Sequence, residues 1–221
     1  MIRSMVHQHK SESRFLILLL LSAAAALAQT AEITLPPPDT TGGKPLMAVL
    51  KERKSERAFR GEKLSPQVLS NLMWAAFGIN RPDGRRTAPS TLNWQEIAIY
   101  ATLPDGVYLY DAKAHRLEKI ISGDLRASTG TQPFAAEAPL NLVYVADYAK
   151  MPDTSDADRI LYSAADTGFI GQNVYLYCAS EGLATVIRAG IDRVALAKAL
   201  KLGPTQKITL AQSVGYPKPP D

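Results

Sequence analysis

The chain is poor in the residues that usually carry chemistry, and each shortage excludes something. Cys178 is the only cysteine, so no disulfide can form within the chain. Of three histidines, His7 and His9 lie in the first ten residues and only His115 lies in the body of the sequence. A zinc site of the usual cysteine and histidine ligands cannot be assembled from one of each, so no metal is expected. A Ser-His-Asp hydrolase would have to use His115, which sits in "YDAKAHRLEKI", where the pattern reads as an exposed hairpin turn. Cys178 falls in the apolar run "NVYLYCASEGL" and reads as a packed core thiol. There is no GxGxxG, no P-loop and no internal repeat.

The N-terminus has the layout of a secretory signal. Arg3, Lys10 and Arg14 precede "FLILLLLSAAAAL", and Ala26-Leu27-Ala28 has the small-x-small form of a processing site. The apolar run falls short of the roughly 20 residues that span a bilayer, so no stable membrane anchor is expected. No twin arginine precedes the run and no cysteine follows the cleavage site, which favours the general secretory route without a lipid anchor. The expectation is a bacterial periplasmic or secreted protein. Removing residues 1–28 leaves 193, a size suited to one domain, and takes two of the net +4 charges with it. The remaining charge is too mild for a general nucleic-acid binder, and the 46% apolar content suffices for a core.

Residues 29–44, with three prolines and two glycines, read as an extended arm ahead of a domain at 45–221. Leu46, Val49 and Leu50 share one face of a first helix. In "KLSPQVLSNLMWAAFGIN", Ser65 is an N-cap, Pro66 fits the first helical position, and Leu64 and Leu69 have staple spacing. Gly78 is placed to end that helix in a left-handed conformation. "EIAIYAT", "GVYLYDA" and "RLEKI" read as strands, "SGDLRASTG" as a short helix and "PLNLVYVAD" as a buried strand. "DRILYSAADTGFIGQNVYLYCASEGL" is a long helix apolar almost all round, suited to the centre of the fold or of a dimer. Its Gly168 and Gly171 suggest close approach of another backbone. A last helix from Asp192 to Leu202 stops at Gly203-Pro204, before a final strand "KITLAQSVGYP". Helices and strands mix without regular alternation, which indicates an α+β fold.

Two clusters stand out. "RRTAPSTLNWQ", Arg85–Gln95, crowds hydroxyl and amide groups before a strand, as either a polar turn or a ligand cradle. "ERKSERAF" gathers Arg53, Lys54, Ser55 and Arg57, as either a solvated face or a phosphate site. With no nucleophile and no metal ligands beside them, this profile suits chemistry carried by a bound organic cofactor.

"RKSERAF", "APSTLNWQ", "DTGFIGQNVYLYCASEGLATVIRAG" and "VGYPK", in this order, resemble the FMN-dependent nitroreductase family, closest to its exported, peptide-oxidase-like (thiazoline-oxidase) branch. The resemblance runs from about Pro45 to Lys218. It implies a nitroreductase-like fold, a mixed antiparallel central sheet flanked by helices, built as an intertwined homodimer with two FMN sites at the interface. It assigns Arg53, Lys54, Ser55 and Arg57 to the FMN phosphate and ribityl chain, and Lys218 to a position near the phosphate. Pro89, Ser90, Asn93 and Gln95 match the loop that reaches the flavin of the neighbouring subunit. Ile187, Arg188, Ala189 and Gly190 match the backbone segment beside flavin N5 and O4, and Gln132 an amide near the pyrimidine edge. No catalytic acid, base or nucleophile is implied. Glu96 stands where the family's typical proline follows the loop glutamine. The implied function is a flavin oxidoreductase with a small-molecule electron donor and acceptor. The alternatives are a flavin-dependent dehydrogenase or oxidase of a small substrate, or a non-catalytic flavin-binding protein.

Overall fold

A computed structural model describes residues 32–219; the signal segment, His7, His9 and the first residues of the arm lie outside them. Seven strands form one sheet in the order β1-β4-β3-β2-β5-β7-β6. They are β1 (Glu32–Thr34), β2 (Ile97–Leu103), β3 (Gly106–Asp111), β4 (Arg116–Ser122), β5 (Leu140–Asp147), β6 (Ala184–Arg188) and β7 (Gln206–Gly215). Each pairing among the described strands is antiparallel, and helices flank the sheet as the resemblance implies. The helices are α1 (Leu46–Glu52), α2 (Pro66–Phe77), the short α3 (Phe134–Glu137), α4 (Asp156–Glu181) and α5 (Arg193–Ala199). The class is α+β, as the irregular order of elements indicates. The start of the arm joins the sheet as its edge strand, Ile33 opposite Leu117.

Alternation along the central strands sorts the core onto two faces. From β2 and β5, Ile97, Ile99, Leu140, Leu142 and Tyr144 point to one face, where α2 and α4 cover them with Leu72, Met73, Ile170, Val174 and Cys178. Tyr100, Val143 and Val145 point the other way and pack against Leu196 and Leu200 at α5. Both sides of β5 are therefore dry, and all its residues but the last are buried. Cys178 is a core thiol, and burial pushes its pKa well up.

Local signals set the helix ends, with some corrections. Ser65 Oγ accepts from Val68 N–H at 3.3 Å, and Leu64 and Leu69 both pack on the core. Gly78 does end α2, but in extended rather than left-handed backbone (φ −72°, ψ 165°). Its glycine identity answers to crowding instead: a Cβ there would lie 2.5 Å from Trp74 Cδ1. Helix α5 stops at Ala199, short of Leu202, because Lys201 takes the left-handed turn (φ 54°) and Leu202 N–H bonds back to Ala197. In α4, Gly171 is close-packed, yet by the Ile187 side chain rather than a backbone, and Gly168 faces open space. On α1 only Val49 is buried; Leu46 and Leu50 are exposed. His115 does sit in a tight turn (φ 48°), but it is partly buried: its ring bonds Ser70 Oγ at 2.7 Å and Tyr110 Oη at 3.0 Å. Burial lowers its pKa.

Candidate functional site

Helix α4 is the beam on which both sequence clusters rest. Toward its C-terminal half, Tyr175 is buried under the basic segment and its hydroxyl is a junction. It accepts from Ile187 N–H at 3.0 Å and pairs with Ser55 Oγ at 2.8 Å. The Arg53 guanidinium stands over the same ring, 5.2 Å from its centroid. Glu56 N–H donates to Thr185 O at 3.0 Å, fastening the segment to the outer strand β6. Lys218 N–H bonds Ala58 O at 3.1 Å, bringing the end of the chain to the same place. The structure thus unites Arg53, Ser55 and Ile187 around one tyrosine, which the sequence shows only as part of a long apolar helix.

The charges here are unevenly matched. Lys54 is paired with Glu56 at 2.8 Å and Lys218 with Glu137 at 3.0 Å, both at the surface. Arg53 and Arg57 have no carboxylate partner among the described residues.

Beside it, Gln132 and the β6 segment meet. Thr131 N–H donates to Gly190 O at 2.9 Å, and a Cβ on Gly190 would lie 2.4 Å from Gln132 Nε2. A side chain at position 190 would have to push the Gln132 amide aside. Gln132 Oε1 is buried without a donor. Arg188 turns its side chain inward rather than to the surface. It is 6% exposed, and its guanidinium donates to Thr129 O and Oγ1, Asn141 Oδ1 (2.6 Å) and Ser213 Oγ (3.2 Å). Among the described residues no carboxylate neutralises it. Burial lowers its pKa to about 10, which leaves it charged at neutral pH. Ala189 is exposed at the strand end.

The Ser90–Gln95 loop rests nearer the N-terminal end of α4. Thr91 N–H and Oγ1 donate to the two oxygens of Asp166, at 2.8 and 3.3 Å. Ser90 Oγ accepts from Gln95 N–H at 3.0 Å. The Gln95 side chain is spent inside its own chain: it accepts from Arg86 Nε at 2.8 Å and donates to Gly84 O and Asn93 Oδ1. Asn93 is exposed, as is Pro89, and Trp94 packs on Tyr162 of α4 with ring centroids 6.2 Å apart. Leu92, Asn93 and Gln95 have φ of 50°, 57° and 49°, which costs about 1–3 kcal/mol for a non-glycine residue away from Asn. Asp166 and Tyr175 are nine residues apart, about 13 Å along a helix. Among the described residues no hydrogen bond joins the loop to the basic segment.

Residues 50–216 match the sequence profile described as the nitroreductase family. A Methanocaldococcus jannaschii protein named as a nitroreductase is 31% identical over 170 residues, 72% of this chain and 84% of that one. A crystal structure from Ralstonia eutropha, also named as a nitroreductase, superposes with TM-score 0.83 at 42% identity, covering 88% of this chain and 93% of that one. The NADPH:FMN oxidoreductase of Vibrio harveyi, solved with NAD+, shares the fold at TM-score 0.60 and 19% identity, over 79% of this chain and 69% of that one. The chain belongs to the nitroreductase family.

Proposed function

We propose that this nitroreductase-family chain is an exported, FMN-dependent oxidoreductase of the peptide-oxidase-like branch, working as a homodimer with a small-molecule donor and acceptor. The observation that carries the cofactor is the junction at Tyr175. It sets an unpaired arginine and a serine hydroxyl beside the backbone of β6, with the unsatisfied Gln132 Oε1 close by. A flavin phosphate suits Arg53 and Ser55, with Lys54, Arg57 and Lys218 nearby as further cations. The pyrimidine edge of a flavin alternates acceptors and a donor, and its N–H is the partner that Gln132 Oε1 lacks. When bound, FMN would supply the redox chemistry that couples a small-molecule donor to an acceptor, which the side chains here cannot supply themselves. The protein's own part would be to hold the cofactor at Ile187–Gly190, with Arg188 supplying a fixed buried positive charge in the same strand. The leader at residues 1–28, the arm and the domain from residue 45 complete this reading of the chain.

The homodimer has its own support. Ile160, Leu161 and Phe169 are exposed on α4, spread over about half its circumference with Gly168 between them, and Leu46, Met47 and Leu50 are exposed on α1. Large apolar side chains clustered at a surface mark an interaction site. Two α4 helices packed about a two-fold near open Gly168 would bring one chain's loop to the other's Arg53, with Pro89, Ser90, Asn93 and Gln95 in or bracing that loop.

Flavin titration tests the site. Arg53→Ala should weaken FMN binding by about 1.5–3 kcal/mol, roughly tenfold or more, and leave riboflavin nearly unaffected. Equal losses for both ligands would remove Arg53 from the phosphate.

A further inference from the structure

The inner end of the Ser90–Gln95 loop holds a pair that the flavin reading does not use. Glu96 is fully buried, and neither carboxyl oxygen meets a hydrogen-bond donor. A carboxylate stripped of water and left without donors is strongly disfavoured. Beside it lies Asp166 of α4, 1% exposed, which already accepts both bonds from Thr91. A second acid beside it makes the ionised form of Glu96 still less favourable. One proton between them turns an acceptor facing an acceptor into a hydrogen bond, and the donor that Glu96 lacks is then its own O–H.

The remaining charges around Glu96 do not replace that proton. Lys150, from the turn after β5, acts on Glu96 from a distance, while its ammonium donates to Gln95 O at 3.0 Å. The Asp147 carboxylate is turned to Ala149 N–H and the Thr205 hydroxyl. Arg86 spends its guanidinium on Gln95 Oε1 and Phe77 O.

We propose that a proton held on Glu96, turned toward Asp166, clamps the Ser90–Gln95 loop onto α4 and releases it when the proton is lost. The loop needs a clamp, since Leu92, Asn93 and Gln95 all hold left-handed backbone. With the proton present, Asp166 is steadied as the acceptor of Thr91. Without it, two negative charges face each other under the loop and Asp166 can no longer keep both bonds. Burial raises the Glu96 pKa to about 7 against the pull of its own backbone N–H, with Asp166 pushing up and Lys150 down, so release falls at neutral pH. Glu96 is a positioning residue for the loop. Only the consequence for a neighbour's flavin rests on the function proposed above; the clamp itself needs no ligand.

Trp94 reports on the loop, and Trp74→Phe makes it the only tryptophan. That background also removes the tryptophan on α2, the helix whose Ser70 bonds the titrating His115. Flavin-free protein titrated from about pH 5.5 to about pH 8.5, a span bracketing neutrality, should show a one-proton change in Trp94 emission centred at about 7. Hydrogen exchange supplies a second readout. Protection of the Thr91 and Gln95 amides should fall on the order of tenfold across the range, beyond the intrinsic pH effect. Glu96→Gln keeps a donor but cannot titrate, so both readouts should stay at their low-pH values. A wild-type loop flat in both readouts, or a transition that survives Glu96→Gln, would overturn the proposal. FMN titration of Glu96→Gln separates the two readings, because retained binding beside a failed clamp costs only the clamp.

Discussion

The two ends of α4 carry opposite faults. Around Tyr175 three cations lack a carboxylate partner among the described residues: Arg53 and Arg57 in the basic segment and Arg188 in the interior. At Asp166 the surroundings hold an acid without a donor, Glu96, beneath a loop whose own polar groups are mostly satisfied within the chain. On the reading proposed above, an anionic ligand would complete the first end and a proton the second. Polarity of sequence alone does not tell a cradle from a closed turn; what matters is which groups are left unpaired once the chain has folded.

Removing the cation at the first end should have the largest effect on stability. Arg188→Ala empties a buried site and strands Thr129, Asn141 and Ser213, so it should cost about 3–5 kcal/mol in urea unfolding. A loss under about 1 kcal/mol would mean that water reaches these groups and the cation is not truly enclosed.

The second end should respond to pH instead. A carboxyl raised from 4.5 to about 7 keeps its proton longer in the fold than in the unfolded chain. Its stabilisation is therefore complete below 4.5, declines as pH rises toward 7, and is gone above. Glu96→Gln should match wild type near the acid limit and exceed it by up to about 3 kcal/mol in alkaline buffer. A constant difference at all pH values would show that Glu96 does not titrate in this window.

A smaller effect tests the contact between beam and strand. Gly171→Ala would place a Cβ 2.5 Å from Ile187 Cδ1. The terminal methyl can rotate away, so the cost should be about 1 kcal/mol, the lower end for overpacking. Thermal unfolding that rises instead would mean that helix propensity outweighs the displaced isoleucine.

How legible all this was in the sequence follows range. The Ser65 cap, Pro66 and the Leu64–Leu69 staple act within one helical turn and could be read directly. Alternation gave β2 and β5, because a buried strand declares its two faces residue by residue. Tyr175 was hidden in an apolar run, since nothing local says that its hydroxyl meets Ser55, 120 residues away. Glu96 was visible as a departure from a family pattern, but its partner Asp166 lies 70 positions on, and only packing joins them. The inward turn of Arg188 was equally invisible: Thr129, Asn141 and Ser213 come from three separate elements.

The central claim is that one flavin draws Arg53 from one chain and Asn93 from the other. Arg53→Ala and Asn93→Ala chains, differently tagged, can be unfolded together, refolded and separated, and the heterodimer titrated with FMN by fluorescence. In a two-fold dimer each site takes one residue from each chain, so one site would carry both substitutions and the other neither. The account predicts one FMN per heterodimer bound with wild-type affinity, although both parent homodimers bind weakly. A heterodimer that binds no better than its parents would contradict it.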